Sequence, residues 1–336
     1  MFKWHSDTKQ GYKNLEAMAG TPDNFLYLQT PDPDLPPHVI PNASCFFSVR
    51  KINDQLEYHV PVPRDTTILS RIDSMKLMIE QAVKIYLVPD FSWIMICYDD
   101  QDWRSYTNDV ASTGIYQDPE CNLVTDNSVR DIKYPVFSAS TRSSKWNECI
   151  PDFVYDSWGG AHIDSFDELT NWLQQLDTPA LHDTLGWRGS NIIQRRKDLC
   201  TLSAQHDYDC KIVESPADWL SIKDQVLRWR FLIDLEGWGY SGRTKILLHA
   251  PRVLFMEPRT YQEDFYQWLK PWVHYVPIKS DLSDLVDYVD MIKNDPALES
   301  YIINNAQELA RTRLTRTDAI RRLAEQLNSA RYLEQK

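Results

Sequence analysis

The stretch RFLIDLEGWGYSGRTKILLH, residues 230–249, limits the fold more tightly than any other part of the chain. An apolar run ends in Asp234-Leu235-Glu236, turns through Gly237 and Gly239, and opens toward a helix at Ser241-Gly242-Arg243. A buried strand feeding a helix through a glycine turn is the unit of α/β proteins, whose parallel strands are covered on both faces. The same alternation recurs on either side. Upstream, residues 45–49 and 56–60 read as strands around a polar turn, 68–84 repeat apolar side chains at helical spacing, and 92–98 form a compact apolar run. Downstream, 184–188, 229–235, 253–256 and 274–278 read as strands, and 216–225 and 241–249 as helices. From Ser283 onward the pattern is helical throughout.

Two such halves predict an α/β protein with two facing Rossmann-like domains and C-terminal helices. The expected division is 1–178, carrying a proline-rich arm over residues 21–43, then 179–315, then a final helix in 316–336 that returns to the first domain. At 336 residues the chain is long enough for two such cores. Its 36 Lys and Arg against 48 Asp and Glu give a net charge of −12, which argues against nucleic acid as a partner. No run approaches the roughly 18 apolar residues of a membrane span, and the first residues lack the apolar core of a secretion signal. The six cysteines are scattered without C-x-x-C spacing, so a reducing, cytoplasmic setting is expected.

Candidate chemistry gathers at strand ends, because ligands of open α/β sheets bind beyond the carboxyl ends of the strands. A helix opening at Ser241 would offer unpaired N–H groups to a phosphate. Arg243 in its first turn opposes the helix dipole unless an anion is bound there; the alternative is a solvated arginine at an ordinary turn. Trp187-Arg188-Gly189-Ser190 is a second strand end, where a guanidinium suits bidentate phosphate recognition and a glycine would let a ligand approach. In the first half, a strand ends in Asp99-Asp100-Gln101-Asp102, a place for a general base. Among the acidic pairs, Asp234/Glu236 alone follows a strand, which leaves a divalent ion bridging a diphosphate as an alternative. No zinc, P-loop or G-x-S-x-G pattern occurs. Trp158, beside Gly159 and Gly160, could present its ring as a platform for a sugar.

Residues 234–285 then carry a specific resemblance. Asp234-Leu235-Glu236-Gly237, Ser241-Gly242-Arg243, Pro271-Trp272-Val273-His274-Tyr275-Val276-Pro277 and Asp281-Leu282-Ser283-Asp284-Leu285 follow one another in the order seen in glycosyltransferase family 90. This is the family of Rumi-type protein O-glucosyltransferases and fungal capsule xylosyltransferases. Trp187-Arg188-Gly189-Ser190 is similar to its F-R-G-S segment, and Pro89-Asp90-Phe91 with residues 94–99 is similar to its L-P-D…D segment.

The resemblance implies a GT-B architecture and an inverting, metal-independent transfer of a sugar, glucose or xylose, from a UDP-sugar to a hydroxyl of a glycan, glycolipid or protein. It implies Asp99 as general base and Arg188, Ser190, Gly237, Tyr240, Ser241, Gly242 and Arg243 around the donor. Asp102 and Trp158 are the acceptor-side candidates. No cofactor or metal is implied, and the expected setting is polysaccharide biosynthesis. A binding protein for nucleotide sugars or glycans without catalysis, and a metal-dependent transferase using Asp234/Glu236, stay open.

Overall fold

The computed structural model describes residues 46–60, 66–97, 116–117, 123–124, 136–141, 149–237 and 239–333. In chain order the elements are β1 (Phe46–Ile52), β2 (Gln55–His59), α1 (Thr66–Tyr86), β3 (Phe91–Cys97), β4 (Tyr116–Gln117), β5 (Leu123–Val124), β6 (Val136–Ser138) and α2 (Phe166–Gln175). There follow β7 (His182–Gly189), α3 (Gln194–Ser203), β8 (Asp209–Ile212), α4 (Ile222–Arg228), β9 (Trp229–Asp234), α5 (Thr244–Leu247), β10 (Val253–Met256) and β11 (Val276–Pro277). Three helices complete the series, α6 (Leu285–Lys293), α7 (Pro296–Arg313) and α8 (Arg316–Leu333). The described residues divide into two compact units: those from 46 to 167 with 261–266 and 313–333, and 168–260 with 267–312.

The first unit holds a four-stranded sheet in the order β2-β1-β3-β6. Ile52 pairs with Gln55, so Asn53 and Asp54 alone make the β1–β2 turn, both at positive φ (50° and 62°). Asn and Asp tolerate that conformation, which a two-residue hairpin turn demands. The Asp90 carboxylate fixes the turn by accepting the Asn53 N–H at 2.7 Å. The two strands expected around a polar turn at 45–49 and 56–60 are this hairpin, and the described sheet of the expected Rossmann-like first half is mixed rather than parallel throughout. Only β3 and β6 run parallel, because a two-residue turn can join antiparallel neighbours alone. Helix α8 packs on α1 and β3, burying Ile320, Leu323 and Leu327. Arg316 ties it down with bonds to Asp156 and Gln81, each 2.5 Å.

The second unit is built on a five-stranded sheet, β11-β10-β9-β7-β8, in which every pairing is parallel. Strands β9 and β10 are buried almost throughout, which is why they read as unbroken apolar runs. Phe231, Ile233, Phe255 and Val276 join Leu285, Val289, Ile292 and Ile302 in one core. Renumbered within the sheet, the order is 2-1-3-4-5, a doubly wound arrangement with its switch point between β7 and β9. No helix among the described residues is long and apolar enough to cross a membrane.

Candidate functional site

At the switch point the chain leaves β7 and β9 in opposite directions, and the two strand-end loops face each other. Gly237 shows how closely: a Cβ there would lie 3.1 Å from Ile192 Cδ1 in the loop after β7. The Gly237 N–H bonds to Gly239 O at 3.2 Å, tightening the turn that follows Asp234.

Asp234 is the hub of this turn. It is wholly buried, and four side-chain donors share its carboxylate: Ser241 Oγ (2.9 Å) and Arg243 Nη2 (2.9 Å) on Oδ1, and Thr244 Oγ1 (2.6 Å) and Arg259 Nη2 (2.9 Å) on Oδ2. Burial pushes its pKa up, but Arg259 and Arg243 outweigh burial and hold it below the usual carboxylate range. The anion that balances Arg243 is therefore this carboxylate. A divalent ion at Asp234 would have to displace donors already in place, so the donor set does not suit a metal. Glu236 is buried as well, and its N–H donates to Glu257 Oε1 at 2.7 Å. Burial pushes the Glu257 carboxyl up, while Arg195, 2.9 Å away, and Arg259 pull it down.

The helix expected over 241–249 is one turn, Thr244–Leu247. Bonds of the i→i+3 kind on either side, Thr244 N–H to Ser241 O and His249 N–H to Ile246 O, wind the chain more tightly, and Pro251 follows. So short a helix has little dipole to offer an anion. What the turn does offer is Arg243. Its guanidinium is fixed by Asp234 and by the Arg188 carbonyl at 2.8 Å, which among the described residues leaves three of its five N–H donors uncommitted. Ser241 is buried with its hydroxyl on Asp234; Gly242 and Tyr240 are half-buried beside it, the Tyr240 ring 5.5 Å from Lys245 Nζ.

Arg188 and Ser190, expected with Arg243, are brought to it unequally. Only the Arg188 carbonyl reaches Arg243. The Arg188 guanidinium points the other way, bonding the Asp209 carbonyl (2.7 Å) and carboxylate (2.6 Å), and lies 4.9 Å from the centre of the Trp229 ring. Side chains alternate along a strand, and Arg188 extends toward the amino ends of β8 and β9. Gly189 leaves no room for a ligand either: a Cβ there would sit 2.3 Å from the Trp187 ring, so its missing side chain accommodates the protein's own indole. Ser190 does face the switch point, its carbonyl and hydroxyl accepting from Arg196 at 3.1 and 3.2 Å.

The arginines beneath this site, Arg195, Arg196 and Arg259, went unread in the sequence. The signal was the paired arginine in QRRK, which places Arg195 and Arg196 in the first turn of α3, where acidic residues are favoured and none is present. Asp99 and Asp102 lie outside the described residues. Trp158 is half-buried in the first unit, its ring edge-on to Phe153 (centroids 6.3 Å, 83°) and its backbone bridged to Ile163. The two most specific motifs shape turns. In PWVHYVP, Trp272 takes a left-handed φ of 62°, its N–H bonds Tyr275 O at 2.8 Å, and His274 Nδ1 accepts the Lys270 N–H at 3.0 Å. In DLSDL, Asp281 and Asp284 accept the N–H groups of Ser283 and Lys279 ahead of α6.

Comparison with known proteins agrees with these motifs. Protein O-glucosyltransferase 1 of Rattus norvegicus is 28% identical over 208 residues, covering 53% of this chain and 50% of that one. Its Homo sapiens counterpart is 26% identical over 215 residues, 55% and 53% respectively. Protein O-glucosyltransferase 2 of Danio rerio is 36% identical over 87 residues, 26% of this chain and 17% of that one. The chain thus spans about half or less of these curated relatives. Among solved structures, a glycosyltransferase from Rickettsia africae ESF-5 aligns over 81% of this chain and 84% of that one with a TM-score of 0.40 and 11% identity. The family model described as Glycosyl transferase family 90 matches residues 78–327, about three quarters of the sequence, including the whole of the second unit; the chain belongs to that family.

Proposed function

We propose that this protein transfers a sugar from a UDP-sugar to a hydroxyl of a glycan or protein, with inversion and without a metal, in a GT-B arrangement. Glucose is the favoured sugar, because the curated relatives are named protein O-glucosyltransferases. The observation that carries the reading is Arg243, held rigidly by Asp234 and the Arg188 carbonyl at the carboxyl end of β9 with donors to spare, in a chain of this family. A rigid cation of this kind stabilises the diphosphate as the bond to the anomeric carbon breaks. Ser190, Gly237, Tyr240, Ser241 and Gly242 complete the proposed donor cradle. Ser241 offers its backbone there, since its hydroxyl serves Asp234. On the acceptor side Asp99 takes the hydroxyl proton, and the oxygen attacks the face of the sugar opposite UDP. Metal independence is supported by the four protein donors on Asp234. A cytoplasmic setting is proposed from the cysteines, of which Cys149, Cys200 and Cys210 are free thiols.

The test is a screen of UDP-sugars for binding and transfer, with and without EDTA, using wild type and Asp99→Asn. UDP affinity should stay within about twofold in the variant while transfer falls by roughly 100-fold or more, the usual contribution of a general base. EDTA should change nothing. A wild type that binds UDP-sugars yet transfers to no hydroxyl acceptor would favour the binding-protein reading.

A further inference from the structure

Glu257-Pro258-Arg259, the three residues that follow β10, grip the turn that follows β9. Met256 ends β10 in register with Asp234, so the chain beyond it runs alongside that turn. Pro258 restricts the backbone between the two charged residues. Glu257 Oε1 accepts the Glu236 N–H at 2.7 Å, and Arg259 Nη2 donates to both the carbonyl and Oδ2 of Asp234, each at 2.9 Å. One donor shared between the carbonyl and the carboxylate of a single residue holds that side chain in the rotamer that brings both acceptors to it. The turn is thus fixed at its backbone on either side of Leu235 and at the Asp234 carboxylate.

The Arg259 side chain is fully buried, so no ligand reaches it. Its second acid, Glu257, lies 3.6 Å away and is buried too. Ion pairs this deep add little to stability over apolar side chains of the same volume. What distinguishes this pair is where its constraint leads. Arg259 holds Asp234 by Oδ2, while Oδ1 of the same carboxylate holds Ser241 and Arg243. Arg243, with 15% of its side chain exposed, faces the switch point, and Arg259 faces the core.

We propose that Glu257-Pro258-Arg259 is a clamp that aims Arg243, and that Arg259 is a positioning residue of the transfer, touching no substrate and acting through Asp234. This rests on the UDP-sugar reading above. The charged groups facing Asp234 are Arg243 from the turn before α5, Arg196 from α3, and Arg259 and Glu257 from the loop after β10. Burial pushes the Asp234 carboxyl up, and Arg259 opposes burial more strongly than Arg243 does. Without the Arg259 charge, Asp234 takes up a proton at a higher pH, and a protonated Asp234 no longer anchors Arg243. The clamp therefore keeps the donor site in shape as the medium becomes acid.

The experiment is calorimetric titration of wild type, Arg259→Gln and Arg259→Lys with UDP and with inorganic pyrophosphate, at about pH 8 and again at about pH 5.5. Glutamine can still donate to Asp234 but has no charge; lysine keeps the charge. Compared with wild type at the same pH, Arg259→Gln should bind UDP about threefold more weakly in the alkaline titration and tenfold or more in the acid one. Arg259→Lys should stay within about threefold in both. A glutamine deficit that is absent, or equal at the two pH values, would reduce Arg259 to general structural support. A deficit that shrinks in acid would show that freeing Arg243 from Asp234 matters more than aiming it, and overturns the clamp. Should Arg259→Gln not fold, Arg259→Lys decides: matching wild type upholds the proposal, and a loss of about tenfold or more at both pH values overturns it. Wild type that binds pyrophosphate but not UDP would end the UDP-sugar reading, while the same variants titrated with pyrophosphate still test the clamp; wild type that binds neither overturns both.

Discussion

At the amino edge of the parallel sheet, Asp209 accepts from Arg188 (2.6 Å), Arg228 (3.2 Å) and the Trp229 indole (3.0 Å), and the Arg188 side chain lies over the Trp229 ring. At the carboxyl edge of the same strands, Arg196 bonds neutral oxygens only and Arg243 shares one carboxylate with Arg259. The residue types are the same at the two edges, but their balance is not. At the amino edge one half-exposed carboxylate serves two arginines, while at the carboxyl edge the buried Asp234, Glu236 and Glu257 serve Arg195, Arg243 and Arg259 and leave Arg196 without a carboxylate in contact. The pattern of charges along the chain does not distinguish them; the direction of each side chain does.

The comparison can be broken most sharply at Asp234. Asp234→Ala removes the acceptor of four donors and leaves Arg243 without a carboxylate, so stability should drop by about 3–5 kcal/mol in chemical denaturation, with UDP affinity falling too. A loss below about 1 kcal/mol would mean the hub is not what holds the carboxyl edge. The matching change at the other edge is Asp209→Asn. Half-exposed as Asp209 is, this variant should cost about 1–2 kcal/mol of stability, while UDP affinity measured by titration stays within about twofold. A large loss of UDP affinity would show that the amino-edge cluster communicates with the donor site.

The smallest effect concerns His274, just before β11 on the closed edge. Burial, with Lys270 adding to it, lowers the imidazole to about 4 in the fold, against roughly 6.5 in the unfolded chain. The unfolded chain takes the proton first, so this contribution is level above pH 6.5 and is lost as pH falls from about 6.5 toward 4. Between pH 7 and 5 wild type should lose about 1–2 kcal/mol more than His274→Asn, whose side-chain carbonyl can accept the Lys270 N–H instead. Parallel pH profiles for the two proteins would refute a buried neutral imidazole.

Much of the second unit was legible in the sequence because β9 and β10 are buried on both faces and read as apolar runs. Helix α3 was not, since its three buried residues are Arg196, Leu199 and Ser203, so only one of them is apolar. β8 is four residues at a sheet edge with a single buried side chain, too little for an alternating pattern to register. Helix α3 opens after β7 at the switch point, and missing it meant missing Arg196. Motifs identified the family through turn residues such as Trp272 and Asp284, whose work is conformational. They could not reveal that the Arg188 guanidinium turns away while its carbonyl stays.

The first unit is assembled from chain segments far apart, with α1 packed under a helix that begins at Arg316. On a ribosome, α1 is made more than two hundred residues before its partner. Its apolar side, Ile72, Met75, Ile79 and Ala82, must wait for the last helix while the entire parallel sheet is synthesised in between. The order of synthesis thus favours the parallel-sheet unit folding first, and the first of the described strands close their core last, a delay during which chaperones have the most to protect.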